Sequence, residues 1–221
     1  MKGKNWLKTL GIFLLILLGG MFFAYPLLKE KKVLPVYQPA DINPKLVDSS
    51  KVKITRDHTV ADFRLLNQLG DTVTENVLKN KIYVADFFFA TCPSICPVMS
   101  SNIAKLQDEF SDEGEVMFLS HSVTPQLDSV EVLAEYADRY GANPKRWMLL
   151  TGDKKQIYDL ARKSYFAVLD EGDGGVQDFI HTENFILVDK KKRLRGFYDG
   201  TSDNDIKKLT EDIRVLLNED K

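Results

Sequence analysis

Polarity along the chain separates an apolar opening, a proline-punctuated stretch and a longer region where short apolar runs alternate with helical stripes. Leu10 to Leu28 is a run of 19 uncharged residues, LGIFLLILLGGMFFAYPLL, enough to cross roughly 30 Å of hydrocarbon as a helix. Val33 to Ser50 carries Pro35, Pro39 and Pro44 without periodicity, which predicts an extended stalk. The expected organisation is a basic segment over 1–9, a transmembrane anchor over 10–28, a linker over 29–50 and one folded domain over 51–221.

Within that domain, Ala61 to Val73 alternates around Leu69-Gly70-Asp71 and predicts a hairpin. Ile82 to Phe89 (IYVADFFF) is short, apolar and aromatic, the pattern of a central strand buried on both faces. Pro97 to Phe110 has helical spacing of Val98, Ile103, Leu106 and Phe110. A second strand follows over Val116 to Val123. A helix over Ser129 to Tyr140 stops at Gly141. Trp147 to Leu150 predicts a third strand and Lys154 to Ser164 a further helix. Phe185 to Val188 and Leu194 to Tyr198 read as a hairpin around the solvated turn Lys190-Lys191-Lys192-Arg193, and Asp205 to Leu217 as a closing helix. This order predicts an α/β fold, a sheet covered by helices on both faces, with its chemistry at the carboxyl ends of the strands.

Charge and composition narrow the classes. The 221 residues are 44% hydrophobic and 28% charged, which excludes a disordered or low-complexity chain. Residues 1–32 hold six Lys against Glu30, leaving about −7 on residues 33–221. An acidic domain repels polyanions, so no nucleic-acid partner is expected. Lys2, Lys4 and Lys8 precede the apolar run, and Ala24-Tyr25-Pro26-Leu27 is a poor cleavage site, so an uncleaved anchor is expected in place of a signal peptide. Three Lys stand on each side of the run, so the positive-inside rule decides little. With no second apolar span after it, the N-terminus is expected inside and the domain exported, on the periplasmic side of a bacterial inner membrane or its equivalent.

The strongest local motif is Thr91-Cys92-Pro93-Ser94-Ile95-Cys96-Pro97. Two cysteines at i and i+4 share a helical face, close enough to form a disulfide or to pinch one metal ion. Pro93 suits the first helical position and Pro97 should make the first turn irregular, leaving both sulfurs at an exposed end. A loop this short restrains the unfolded chain weakly, by about 2 kcal/mol, which argues against a mere staple. A metal needs further ligands, and the sequence holds three histidines, His58, His121 and His181. His121 falls in a strand and reads as structural, and His58 precedes the hairpin with no chemistry expected. His181 lies in the glycine-rich loop Gly172 to Glu183, just before the Phe185 strand, a loop expected to be mobile and to reach the carboxyl-end rim. Two thiolates and an imidazole form a soft, three-coordinate set that suits Cu(I) or Cu(II), whereas structural zinc wants a fourth ligand.

The stretch Phe87-Phe88-Phe89-Ala90-Thr91-Cys92-Pro93-Ser94-Ile95-Cys96-Pro97, with His181-Thr182 downstream, resembles the Sco/SenC family of thioredoxin-like copper-binding proteins. The resemblance spans about Asp57 to Leu217 and includes an N-terminal single-span anchor. It implies a thioredoxin-like fold with a central mixed sheet, and copper held by Cys92, Cys96 and His181. It also implies delivery of copper to the dinuclear copper site of cytochrome c oxidase, with an oxidase subunit as the accepting partner. The family commonly has Asp directly before the His, where this chain has Ile180, and Val-Asp-Pro where this chain has Val123-Thr124-Pro125.

Asp86 supports a second expectation. It is a carboxylate in a run that should be buried, so its pKa should be raised, and thioredoxins carry an acidic residue at the same offset from the first cysteine. Asp86 is thus a candidate proton acceptor for a redox-active Cys92–Cys96 disulfide in an exported thiol–disulfide oxidoreductase. Against a general thioredoxin stand the extra residue between the cysteines and the lack of a proline between Tyr165 and Phe185. Thr91 directly precedes Cys92, which disfavours a peroxiredoxin. Dinucleotide, Walker, G-x-S-x-G and H-E-x-x-H motifs are missing from the sequence. A metallochaperone is the leading expectation and the oxidoreductase the alternative. Oxidation of the two thiols would abolish metal binding, so both roles are coupled.

Overall fold

The computed structural model describes residues 3–28, 32–47, 53–168, 172, 175 and 177–219, and the chain divides into two compact units, Met1–Val33 and Leu34–Lys221. In the first, α1 (Gly3–Leu28) is one helix of 26 residues, with side chains described only at Trp6 and over 9–21. Among the described residues no helix is long and apolar enough to cross a membrane. The expected span continues to Leu28, through side chains outside the described set, as do residues 29–31 and 48–50 of the expected linker.

The second unit is built around β3 (Ile82–Phe88), in which every residue is buried. Alternate side chains face opposite ways along a strand. Ile82, Val84 and Phe88 therefore enter one core, with α2 (Ile95–Glu109), α3 (Val130–Tyr140) and α5 (Asp203–Glu219). Tyr83, Ala85 and Phe87 enter the other, beneath α4 (Lys154–Asp159) and the hairpin of β1 (Arg64–Leu66) with β2 (Thr72–Thr74). The remaining strands are β4 (Val116–Ser122), β5 (Trp147–Leu150), β6 (Asn184–Val188) and β7 (Leu194–Asp199). Sheet order is β5-β4-β3-β6-β7. β3, β4 and β5 run parallel, while β6 and β7 run antiparallel to their neighbours. The sheet has helices on both faces, as the pattern predicts, and is mixed, as the family resemblance implies.

Local signals explain the boundaries. The Asn67 side chain accepts from the N–H groups of Leu69 and Asp71, closing the β1–β2 turn at Gly70, where φ is +80°. Ser129 caps α3, and Gly141 ends it in the left-handed region at φ +65°. The basic turn between β6 and β7 is partly neutralised: Lys190 pairs with Glu115, Lys192 with Asp62 and Arg193 with Asp189.

Two sequence expectations are revised. Residues 34–47, read as linker, belong to the folded unit. Leu34 and Val47 are buried, and the Tyr37 N–H donates to the Leu194 carbonyl at 2.9 Å. The second revision concerns the cysteine turn. Helix α2 begins at Ile95, two residues before the expected start, so Cys92 lies in the loop and only Cys96 in the first turn. Pro97 is tolerated there because the first N–H groups of a helix have no intrahelical acceptor.

Candidate thiol and metal site

The thiols sit just beyond the carboxyl end of β3. Both cysteines are free, and both are buried, at 7% and 2% exposure for Cys92 and Cys96. The expectation of two exposed sulfurs is thereby corrected: the early start of α2 turns Cys96 into the core with Met99 and Phe88, and Phe89, Ala90 and Ile95 pack against it. The Cys92 sulfur lies 3.8 Å from the Ser94 hydroxyl.

Their environments differ. Burial raises the Cys92 thiol, but the N–H groups of Cys96 and Ser94, with their side chains, outweigh it and hold it below its ordinary value. This is the usual effect of a helix start on a thiol. Cys96 is pushed up to about 12, first by burial and further by the neighbouring Cys92 and by Asp86, against an opposing bond from the Phe89 N–H. Cys92 is therefore the more readily ionised thiol of the pair, and Cys96 the one that holds its proton more tightly.

Asp86 is buried, on the β3 face that carries Val84 and Phe88. Burial raises its pKa to about 7 despite a 2.5 Å bond donated by the Ser120 hydroxyl. Ser120 in turn accepts from the Trp147 indole N–H at 2.9 Å, so strands β3, β4 and β5 are joined through one polar chain. His121 lies within β4, stacked on Phe87 at 5.0 Å, with Nδ1 3.2 Å from the Asp86 carbonyl. Burial lowers its pKa to about 4. His58 packs on Phe166 and places Nε2 2.8 Å from the Ser164 carbonyl. Both rings are thus engaged in packing and backbone contacts.

His181 is exposed between two buried neighbours, Ile180 and Thr182. Its segment is fixed from several sides. Arg162 grips Asp178 with two bonds of 2.6 and 2.7 Å, Lys154 and Tyr158 donate to the Asp178 carbonyl, and Thr182 donates to the Ala167 carbonyl. Phe179 packs edge-on against Phe89 at 5.3 Å, three residues before Cys92. If the β3–β6 register continued past Ala85↔Ile186, His181 would stand opposite Ala90. Thus the cysteines are brought together and His181 is carried on the adjoining segment. Among the described residues no group of three or more His, Cys, Asp or Glu is assembled to hold a metal. In donor chemistry the paired thiols fit a soft monovalent ion, with a third ligand needed from outside the pair.

Sequence reasoning missed two groups. One is the Arg162–Asp178 pair. The other is Asp128, a buried carboxylate after β4 that accepts from the Ala90 N–H, Ser122 and Thr124. A polar loop residue gives no signal of this, because its donors come from separate stretches of chain.

Comparison with known proteins agrees with the fold. Residues 51–218 match the family model described as SCO1/SenC. A relative from Bacillus subtilis, the SCO1 protein homolog, is 30% identical over 166 residues, covering 74% of this chain and 86% of its own. The solved structure of BsSco, a member of the Sco family of cytochrome c oxidase assembly proteins with a disulfide switch, superposes with a TM-score of 0.63 at 29% identity, covering 76% of this chain and 98% of that one. The structure of Arabidopsis thaliana ScoI with copper bound has a TM-score of 0.57 at 26% identity, covering 72% of this chain and 98% of that one. With a central mixed sheet, a paired C-x-x-x-C at its carboxyl end and a family match over the folded unit, the chain belongs to the SCO1/SenC family.

Proposed function

We propose that this protein is a membrane-anchored copper carrier that loads or matures the dinuclear copper site of cytochrome c oxidase, with an oxidase subunit as its acceptor. The observation carrying the reading is the reduced Cys92–Cys96 pair at the carboxyl end of β3, beside the segment that bears His181. Related chains with copper bound and with a link to oxidase assembly support it. Copper is the cargo. Cys92 and Cys96 would supply thiolates and His181 the third donor, leaving a site of low coordination number from which an acceptor's ligands can take the ion. The uncharged run of Leu10–Leu28 supports the anchor, with the N-terminus inside and the folded unit exported.

The test is copper stoichiometry of the reduced full chain in detergent. About one Cu(I) per chain is expected. His181→Ala should weaken retention at least tenfold, because even an outer-shell partner of a metal ligand costs roughly 10- to 100-fold. Unchanged retention in Cys92→Ser/Cys96→Ser would refute the reading.

Asp86 favours a second reading, thiol–disulfide exchange on a partner's cysteines. Its raised pKa near Cys96 suits a carboxyl that takes up the Cys96 proton during exchange. On this reading Asp86→Asn slows reduction of a model protein disulfide roughly tenfold or more, the low end of general-base effects, while His181→Ala leaves it unchanged. The opposite ranking would exclude it.

A further inference from the structure

The loop that carries Cys92 is held through its backbone. The Phe88 carbonyl accepts from the Val123 N–H at 2.8 Å, and the Phe89 carbonyl accepts from the Cys92 N–H at 3.2 Å. The Ala90 N–H goes to Asp128 Oδ2 at 3.2 Å.

The Phe89 carbonyl and the Ala90 N–H belong to one peptide plane, which rotates as a rigid unit. Asp128 therefore holds one edge of the plane whose other edge receives the Cys92 N–H. Asp128 is itself clamped. Its Oδ2 also accepts from Ser122 Oγ at 2.5 Å and Thr124 Oγ1 at 3.0 Å. Its N–H donates to the Thr124 carbonyl at 2.9 Å, and its carbonyl accepts from Thr151 Oγ1 at 2.8 Å. The carboxylate is 1% exposed, so water does not compete for these bonds.

We propose that Asp128 is a positioning residue for the Cys92–Cys96 pair, acting through the Phe89–Ala90 peptide plane without touching either sulfur. By fixing the Cys92 backbone it lowers the entropy lost when the two sulfurs join. This deepens the proposed function of the same site and rests on that reading only for the cargo. The thiol couple can be read without copper.

The test is the exchange of the Cys92–Cys96 disulfide with reduced dithiothreitol, giving two protein thiols and oxidised dithiothreitol. It is followed by alkylation of free thiols across a series of dithiothreitol ratios, on the copper-free full chain in detergent. Asp128→Ala is expected to shift the equilibrium at least tenfold toward the dithiol, which is about 30 mV for a two-electron couple. Asp128→Asn, which keeps an acceptor oxygen, should stay within about threefold of the parent. Ser122→Ala and Thr124→Val remove other donors to Asp128 but leave the Ala90 bond; they should lower thermal stability while moving the couple less than threefold. A purely structural role would give these two the same shift as Asp128→Ala, or give Asp128→Ala none, and either result overturns the proposal. Asp128→Ser, whose oxygen stops one bond short of the Oδ2 position that meets Ala90, carries the same tenfold expectation should the alanine variant fail to fold. A shifted couple in a protein that binds no copper would fault the cargo reading and leave the role of Asp128 standing.

Discussion

Asp86→Asn is expected to make the folded unit more stable at pH 8, by up to about 4 kcal/mol, while changing little near pH 4. The amide keeps an oxygen for the Ser120 hydroxyl and removes the ionisation that burial penalises. The sign follows from the raised folded-state pKa of about 7 against an ordinary 3.8. Between those values the folded protein holds a proton that the unfolded chain has lost, so stability falls as pH rises. At about 1.4 kcal/mol per pKa unit the cost is complete above pH 7. His121 works in the other direction. Its folded value of about 4 lies below the ordinary 6.5, so the unfolded chain takes up the extra proton as pH falls from 6.5 to 4, and stability drops toward acid. Across that window the two slopes oppose, and the parent protein should be nearly flat. Asp86→Asn should unmask a rise of about 1.4 kcal/mol per pH unit up to pH 6.5. Urea denaturation at half-unit intervals from pH 4.5 to 8 measures this, and parallel curves for parent and variant would contradict it.

Arg195→Ala should cost about 3–5 kcal/mol, the range for removing one partner from a buried ionic network. The guanidinium is 2% exposed. It donates to Asp189 at 3.0 Å, to both oxygens of Glu219 at 2.7 and 2.9 Å, and to the carbonyls of Leu34 and Pro35 at 2.8 and 3.0 Å. Its loss strips one partner from Asp189 and from Glu219 and frees two carbonyls. Arg195→Lys should recover only part of the loss, because one ammonium cannot present a planar fork to so many acceptors. Equilibrium denaturation followed by fluorescence of the buried Trp147 reads both variants. A cost under 1 kcal/mol for Arg195→Ala would show the network to be incidental.

Where the sequence was legible, the signal was local. The IYVADFFF run specified a strand covered on both sides, and all seven residues of β3 are buried. The alternation of strands and amphipathic stripes specified the α/β sheet, and a cysteine motif after a central strand specified the rim where chemistry would lie. What was not legible depended on contacts between distant parts of the chain. Residues 34–47 read as linker from their prolines, yet they are gripped by Arg195, some 160 positions away. Burial of the thiols was not legible because the usual penalty for proline inside a helix does not apply in its first turn. Asp86 stood out as a carboxylate in an apolar strand, whereas Asp128 sat among polar loop residues and its donors were invisible. The approach of His181 to the thiols was an expectation from donor chemistry and family pattern. The folded unit brings its segment alongside, through Phe179 on Phe89, but does not itself close the triad.

The way the chain enters the folded unit has a mechanical consequence. Leu34 is seized beside Glu219 and Arg195, where β7 starts. Leu194 pairs with Val188, and Val188 with Tyr83, near the amino end of β3. The sulfurs lie past the opposite end of that strand, and the rise of about 3.3 Å per residue from Tyr83 to Phe88 puts at least about 16 Å along the strand between the two points. Any tension on the N-terminal segment is therefore borne by a buried ionic clasp at one pole.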